Sequence, residues 1–184
     1  MSSPLRISFA KANPATAERL AAVGRQTFTE TFAAHNAPED LAAFLTTAYD
    51  PAAVLAELQD PAYATLLAEV QGELVGFAKV LRHSALGLPP TGPADPTGRL
   101  ELKQLYVLED WQGTGLGAAL LRRVLDLAAA ENCTCVVLGV WEHNERAQAF
   151  YQRFGFKQIS AHDFWVGQDR QTDLILRKGL SGRP

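Results

Sequence analysis

The feature that most constrains this chain is a strand-like run that passes through three closely spaced glycines directly into a helix. The segment is ELKQLYVLEDWQGTGLGAALL at 101–121, where Leu100–Val107 has the pattern of a strand and Leu116–Ala130 that of an amphipathic helix. The glycines stand at alternate positions, Gly113, Gly115 and Gly117. Glycine lets a backbone approach an anion closely, and the free amides and positive dipole end of the helix favour phosphate. The segment therefore predicts a cradle for a pyrophosphate group.

Two other kinds of nucleotide-binding loop rest on the same physics. A phosphate loop of the NTPase kind ends in Gly-Lys-Ser/Thr, and Gly117-Ala118-Ala119 supplies neither the lysine nor the hydroxyl. The run GTGLGA matches a dinucleotide fingerprint in spacing, with Glu142 in the place of its ribose-binding acid. In that fold, however, the first glycine follows its strand at once, whereas Leu108–Gln112 intervene here. The roughly forty residues after Glu142 are also too few for further strand–helix units of about 30 residues each.

The spacing Gln112-x-x-Gly115-x-Gly117 resembles the Q/R-x-x-G-x-G/A motif of the GNAT acetyltransferase superfamily. The resemblance implies that this loop wraps the pyrophosphate of coenzyme A and that acetyl-CoA is the co-substrate. It also implies an α/β fold of the α+β three-layer kind, with a mixed, mostly antiparallel central sheet and helices on both faces. The coenzyme-binding residues implied in the loop are Gln112, Gly113, Thr114, Gly115, Leu116 and Gly117.

A second motif, N-x-x-A-x-x-F-Y-x-x-F-G-F, follows a buried strand predicted over Thr134–Trp141. Asn144 stands where a helix N-cap belongs, and Tyr151 lies two helical turns later, so both side chains can face one groove. The motif closely resembles the second conserved block of the same superfamily. That resemblance implies that Asn144 contacts the coenzyme and that Tyr151 protonates the departing thiolate. A phenol with a pKa near about 10 can act as general acid toward a thiolate whose conjugate acid has a pKa near about 8.5.

Two further roles in such a reaction need candidates. Attack of an amine on a thioester creates an oxyanion, and the resemblance assigns its backbone N–H donors to Leu105, Tyr106 and Val107. The acceptor amine arrives protonated and must lose a proton. Glu101 resembles, in position, the strand glutamate that acts as base in the histone-acetylating branch of the superfamily. The alternatives are an ordered water, Glu142, His143 and His162.

The remaining pattern predicts one domain over residues 1–184, without repeats. Helices are predicted for Ala15–Phe32, from Pro38, for Pro51–Leu58, and for Glu145–Phe154 with Gly155 as its C-cap. Strands are predicted for Ala64–Val70 and Glu73–Leu81, joined by a hairpin at Gln71-Gly72, and for Phe156–Val166 and Thr172–Arg177. One long irregular connection runs from His83 to Gly98, and both a functional loop and a neutral surface insertion fit its length.

Composition argues against several partners. The net charge is -3 and no cluster of Lys and Arg forms the basic face of a nucleic-acid binder. No stretch of about 18 apolar residues is present to cross a membrane, and no secretory signal is visible, so we expect a cytoplasmic protein. Cys133 and Cys135 sit two apart in an apolar run, a setting typical of buried thiols in a reducing compartment. We therefore expect free thiols rather than a disulfide or shared metal ligands, and no metal.

Four shorter segments look like the bacterial Pai-type acetyltransferases, a group associated with spermidine and spermine. The segments are TETF at 29–32, ELKQLYV at 101–107, GVWEHN at 139–144 and QTDLIL at 171–176. A polyamine acceptor makes physical sense if Glu30, Glu101 and Asp163 converge on one cleft.

The predicted function is therefore transfer of an acetyl group from acetyl-CoA to a primary amine, a small-molecule acceptor. One alternative is a non-catalytic acyl-CoA-binding or sensor module that keeps the cradle without turnover. The other is acetylation of protein N-termini or lysines, which requires an open groove. The resemblance also implies self-association, because members of the superfamily often form homodimers.

Overall fold

All seven strands of the described chain belong to one sheet. A computed structural model describes residues 5–87, 98–166 and 168–180. The strands are β1 (Arg6–Phe9), β2 (Tyr63–Val70), β3 (Glu73–Arg82), β4 (Arg99–Val107), β5 (Cys135–Trp141), β6 (Lys157–Val166) and β7 (Asp169–Gly179). Their order is β1-β2-β3-β4-β5-β7-β6, and only the pair β4–β5 is parallel. The mixed, mostly antiparallel sheet predicted from the sequence is confirmed.

Five α-helices of the described chain cover the two faces of this sheet. They are α1 (Pro14–Phe32), α2 (Pro38–Ala48), α3 (Pro51–Gln59), α4 (Leu116–Ala130) and α5 (Glu145–Arg153). One apolar core lies between α1–α3 and the sheet and includes Leu20, Phe28 and Phe77. The second lies on the opposite face under α4 and α5 and includes Leu120 and Val124. Helices on both faces are thus confirmed, while a single domain over residues 1–184 stays a prediction.

Local chemistry explains where the first three helices begin. Proline supplies the first residue of each, a position where its missing N–H is not needed. Asn13 and Asp50, just before α1 and α3, accept hydrogen bonds from first-turn amides at 2.9 and 3.2 Å. The starts predicted at Pro38 and Pro51 are confirmed, and α1 begins one residue before the predicted Ala15.

The first hairpin is also as predicted, whereas one strand escaped the sequence pattern. Gln71 and Gly72 join β2 to β3 with φ of 55° and 85°, the left-handed pair that a type I′ turn requires. The strand β1, which pairs with β2 at the sheet edge, was not predicted. Its four residues are too few to establish an alternating pattern.

The separation of β4 from β5 determines where a ligand can enter. The two strands pair only over Arg99–Glu101 and Cys135–Val137. β4 also carries a β-bulge at Lys103, which has no partner on β3 and turns the following side chains relative to those before it. Beyond the three parallel pairs, β4 and β5 diverge and leave an opening in the middle of the sheet.

Three remaining expectations concern single segments. Residues 88–97, and with them most of the His83–Gly98 loop, lie outside the described residues. Cys133 and Cys135 are free thiols as expected, although Cys133 lies before β5 rather than on it. No single described helix is long and apolar enough to cross a membrane. Only the bent pair α2 and α3, at 42° to each other, meets that test of length and composition when taken together.

Candidate active site

An open cleft of about 680 Å³ occupies the place where β4 and β5 part, a volume in the range of small-molecule sites. One side, the loop wall, consists of residues 112–118 and α5. The opposite side, the α1 wall, consists of α1 and the facing parts of β5, β6 and β7. Residues of both walls in the lining include Glu30, Phe32, Gln112, Gly115, Trp141, Asn144, Arg146, Tyr151, Phe164 and Asp173.

The loop wall presents a row of backbone amides that have no partner among the described residues. Gly113 and Gly115 have φ of 80° and 89°, in the left-handed region that favours glycine. A Cβ at either position would meet nothing within 4 Å, so the space beside the loop is open. The first amide of α4 that bonds back into the helix is that of Ala119, to the Gly115 carbonyl. Among the described residues, none accepts a hydrogen bond from the amides of residues 113–118.

The start of α4 differs from the starts of α1, α3 and α5, each of which a side chain caps. α4 begins after Gly115 with no side-chain cap, as α2 does after Ala37, but of these two only the start of α4 lines the cleft. An uncapped N-terminus leaves unsatisfied donors at the positive end of the helix dipole. The arrangement suits an anionic group that approaches from the cleft.

Gln112 connects this loop to both neighbouring elements. Its Nε2 donates to the Val107 carbonyl at 3.1 Å, and its Oε1 accepts from Nη1 of Arg146 at 2.7 Å. The glutamine therefore holds a guanidinium at the mouth of the loop. Arg146 was not predicted as a site residue, although it lies two positions after Asn144 in the second motif.

Two predicted loop residues turn their side chains away from the cleft. The Thr114 hydroxyl donates to the Trp111 carbonyl at 2.7 Å, and Leu116 is buried in the core under α4. For these two residues, only the backbone amide is in position to meet a ligand.

The structure brings Asn144 and Tyr151 to the same cleft. The Asn144 Oδ1 caps α5 by accepting from the Ala147 amide at 3.1 Å, as predicted. Tyr151 is 9% exposed, and its ring packs edge-on against Phe150 and Phe156, at centroid distances of 5.2 and 5.7 Å. Its ring is therefore packed against two aromatic neighbours while the residue also lines the cleft.

The phenol groups of the cleft are proton donors at neutral pH. Burial raises the pKa of Tyr151 above its ordinary value, and the neighbouring Tyr106 raises it further. Burial also raises the pKa of Tyr106 to about 12, although a hydrogen bond with Tyr49 opposes that rise. A phenol that stays protonated can serve as a general acid but not as a general base.

Of the three amides predicted as oxyanion donors, two face the opening. The Leu108 amide donates to Val75 on β3 at 3.0 Å. Because alternate amides of a strand point the same way, the Tyr106 amide also points toward β3, whereas those of Leu105 and Val107 point toward the cleft. Tyr106 contributes its side chain to the lining instead.

Glu101, the predicted base, lies apart from this arrangement. It is 8% exposed, accepts a hydrogen bond from Ser84 Oγ at 2.5 Å, and has Lys103 Nζ at 3.3 Å. It is not among the described residues that line the cleft, and its role as base stays a prediction. The alternatives Glu142, His143 and His162 are exposed and do not line the described cleft either.

The three carboxylates expected to converge on an acceptor do not do so. Only Glu30 lines the cleft, where its two oxygens accept from Gln26 Nε2 at 2.8 Å and from the Glu109 amide at 3.1 Å. Asp163 is exposed and pairs with Arg170 at 3.0 Å. The convergence fails because neither Asp163 nor the buried Glu101 lines the described cleft.

A different carboxylate, Asp173 on β7, lines the α1 wall and was not singled out from the sequence. Burial raises the pKa of this carboxyl above its ordinary value, and His162 opposes that rise. It stands directly opposite Trp141 of β5, whose ring lies 5.8 Å from that of Phe32. Its position depends on the register between β5 and β7, which no local pattern encodes.

Known protein sequences match this chain over most of its length. The profile of the Acetyltransferase (GNAT) family matches residues 27–156. An uncharacterized N-acetyltransferase of Lactobacillus delbrueckii subsp. lactis is 35% identical over 159 residues, covering 86% of this chain and 89% of that protein. The spermine/spermidine N(1)-acetyltransferase of Bacillus subtilis is 36% identical over 96 residues, covering 51% of this chain and 59% of that protein.

The fold has a solved counterpart as well. The PaiA N-acetyltransferase of Thermoplasma acidophilum, crystallised with coenzyme A, superposes with a TM-score of 0.76. The superposition covers 96% of this chain and 99% of that one, at 19% sequence identity. At this identity the likeness concerns the fold alone.

Proposed function

This chain belongs to the GNAT acetyltransferase family and is an acetyl-CoA-dependent N-acetyltransferase, and from that premise we propose that its cleft transfers the acetyl group to a primary amine. The observation that carries the proposal is the meeting of two features in one cleft. These are the unpaired amides of residues 113–118 and the buried phenol of Tyr151. The first suits a diphosphate and the second a leaving thiolate.

The loop wall binds the coenzyme in this proposal. The amides of residues 113–118 and the positive end of α4 receive the pyrophosphate. Arg146, held by Gln112 at 2.7 Å, adds a charged donor at the same place. Asn144 uses its Oδ1 as a helix cap, so its Nδ2 is the group that reaches the coenzyme.

The reaction needs three events, and residues of the cleft supply a group for two of them. The amine nitrogen attacks the thioester carbonyl, and the amides of Leu105 and Val107 stabilise the oxyanion that forms. As the carbon–sulfur bond breaks, Tyr151 donates its proton to the thiolate. The third event is removal of a proton from the acceptor.

We infer that the acceptor is a cationic small molecule, with polyamines as the first candidates. Support comes from the Bacillus subtilis relative named for spermine and spermidine, which matches about half of this chain. The α1 wall adds Glu30 and Asp173 beside the aromatic rings of Phe32, Trp141 and Phe164. Carboxylates and aromatic faces both attract ammonium groups.

The test is a panel assay of purified protein with acetyl-CoA, in which released thiol is measured against polyamines, simple alkylamines and peptides with free N-termini or lysines. Thiol release with polyamines or alkylamines supports the proposal, and release with peptides alone favours protein acetylation. Coenzyme binding without thiol release across the panel favours a sensor module.

Replacement of the general acid sharpens that assay. Tyr151→Phe should lower kcat by roughly 100-fold or more, because general acid catalysis contributes about 10²- to 10⁴-fold. Coenzyme affinity, measured by calorimetry, should stay the same. The matched control is Tyr63→Phe, the same change in a half-buried tyrosine of β2 that lies outside the cleft lining. An unchanged kcat in Tyr151→Phe would remove this residue from its assigned role.

A further inference from the structure

The acidic groups near the cleft differ in whether they already have partners. The three named from the sequence all do: Glu30 with Gln26 and an amide, Glu101 with Ser84 and Lys103, and Asp163 with Arg170. Asp173 has none, because no described residue donates a hydrogen bond or forms an ion pair with its carboxylate. The other acid of the lining without a side-chain partner among the described residues, Glu109, is exposed. A half-buried carboxylate without a partner is costly to keep, which points to a ligand.

The strand beside Asp173 leaves space for that carboxylate. Gly139 of β5 is exposed to the cleft although it lies in the interior of the sheet. A Cβ at Gly139 would lie 3.1 Å from Oδ2 of Asp173. Glycine weakens a strand interior, so its presence marks a place where another group approaches the backbone closely. Here the approaching group is the Asp173 carboxylate.

Aromatic side chains surround the same spot. Trp141 stands opposite Asp173 in the β5–β7 ladder, with the ring of Phe32 at 5.8 Å and that of His35 at 5.0 Å. Phe164 of β6 lines the cleft beside them. A carboxylate that shares a cleft with aromatic rings matches an alkylammonium ion, whose charge is attracted by both and whose methylene groups pack on the rings.

We propose that Asp173 is the catalytic base, whose carboxylate receives the acceptor as an alkylammonium ion and removes a proton from its nitrogen. This inference rests on the proposed acetyl transfer and adds the third event that it requires. The burial that raises the pKa of Asp173 makes its carboxylate a stronger proton acceptor than an exposed one.

The protons and bonds balance in this sequence. The ammonium R–NH3+ gives one proton to Asp173, and the neutral nitrogen then bonds to the thioester carbonyl carbon. The carbon–sulfur bond breaks, and Tyr151 protonates the sulfur. The nitrogen loses a second proton, which replaces the one that Tyr151 gave up. The products are an amide, a free thiol and one proton that passes from Asp173 to solvent.

Glu101 is less suited to this step. It does not line the described cleft, and its carboxylate already has two partners, Ser84 and Lys103. An acceptor bound in the cleft therefore does not meet a free carboxylate at this position.

The test is the pH profile of kcat/KM in Asp173→Asn, with the alkylamine or polyamine that the wild type acetylates fastest. In the wild type the profile should be flat between neutral pH and the pKa of the amine, because the enzyme removes the proton itself. In Asp173→Asn it should be lower by about 100-fold or more near neutral pH. It should then rise about tenfold per pH unit with the fraction of free amine, whose pKa lies near about 10.4.

The control separates this role from a structural one. Asp163→Asn makes the same change on the adjacent strand β6 and should keep both rate and profile, because Asp163 lies outside the lining. The ionisable groups facing Asp173 are His162 on β6 and Tyr106 on β4, and both are intact in every variant. The other charged residues of the lining, also unchanged, are Glu30, Lys103, Glu109, Arg146 and Arg153.

Every outcome of these measurements supports or contradicts the role of Asp173 as base. A profile of Asp173→Asn that runs parallel to the wild type, an undiminished rate, or a loss of coenzyme affinity would overturn the role of Asp173 while leaving acetyl transfer intact. Absence of turnover by the wild type on every amine of the panel would instead overturn the proposed function, and the base with it.

Discussion

The two walls of the cleft are built in different ways. The loop wall offers backbone amides from one short stretch, residues 112–118, which lead directly into α4. The α1 wall offers side chains that come from α1, β5, β6 and β7, separated by more than a hundred residues of chain. A site made of backbone amides tolerates many side-chain substitutions but few changes of backbone conformation. A site made of side chains is instead sensitive to substitution of those side chains. Three further predictions test this contrast, together with the Tyr151 and Asp173 assays.

The largest effect is expected at Gly115, whose φ of 89° forces an L side chain into a strained conformation. Gly115→Ala should lower coenzyme affinity by more than tenfold, because left-handed strain of about 1–2 kcal/mol and a Cβ in the open cradle both oppose phosphate binding. Calorimetric titration with coenzyme A measures the change.

Two controls accompany it. Gly72→Ala introduces equal strain at φ 85°, also with nothing within 4 Å, in a hairpin remote from the cleft. It should lower stability and leave coenzyme affinity unchanged. Thr114→Ala removes a side chain of the loop that points at Trp111 and should also leave affinity unchanged. Equal affinity loss in Thr114→Ala would mean that the loop wall binds through side chains after all.

The next effect belongs to the α1 wall. Gly139→Ala should lower kcat/KM for the acceptor by about tenfold, because the added Cβ pushes Asp173 by a few tenths of an ångström and a 1 Å misplacement costs roughly 100-fold in rate. The dissociation constant of coenzyme A should not change. Steady-state kinetics with both substrates varied will separate the two constants, and a parallel loss of coenzyme affinity would contradict the division into two walls.

The smallest effect is on stability. Burial raises the pKa of Asp173 in the folded protein above its unfolded value, which is about 3.9. Such a group stabilises the fold only below that unfolded value, and its contribution is lost as pH rises through the folded pKa. Asp173→Asn should therefore melt at a higher temperature than the wild type at neutral pH. The difference in melting temperature between the two proteins should disappear near about pH 4. Thermal melts at a series of pH values measure this difference.

A difference in melting temperature that does not change with pH would indicate that the asparagine makes a new contact. The removal of a buried charge would then not be its cause. A lower melting temperature at neutral pH would contradict the description of Asp173 as unpaired. Either result would weaken the case that the α1 wall keeps an ionised group ready for a ligand.

The same contrast explains what the sequence could predict. The bounds of α4, the Gln71-Gly72 turn and the start of α5 at Asn144 follow from glycine, asparagine and apolar spacing within a few residues. The loop wall was predictable because all its groups lie within one motif. The short strand β1 was missed because four residues carry too little periodicity.

The α1 wall was not predictable in this way. Asp173 reaches the cleft through its pairing with Trp141, and that register is set by contacts along two whole strands. Glu101 lies on the expected strand, but its carboxylate already accepts a hydrogen bond from Ser84, which lies in a loop seventeen residues earlier in the chain. Proximity in the fold, rather than residue type, decides which carboxylate is free.

The three-pair junction between β4 and β5 has a consequence for the free and loaded protein. It is the shortest strand pairing in the described sheet, and it joins the N-terminal four strands to the C-terminal three. A molecule that contacts both walls bridges these two parts of the sheet. Its binding free energy then adds to that of a strand pairing with few hydrogen bonds. Coenzyme at about 100 times its dissociation constant would contribute about 2.7 kcal/mol to the free energy of unfolding. Bound substrates therefore stabilise the part of the sheet in which β4 and β5 do not pair.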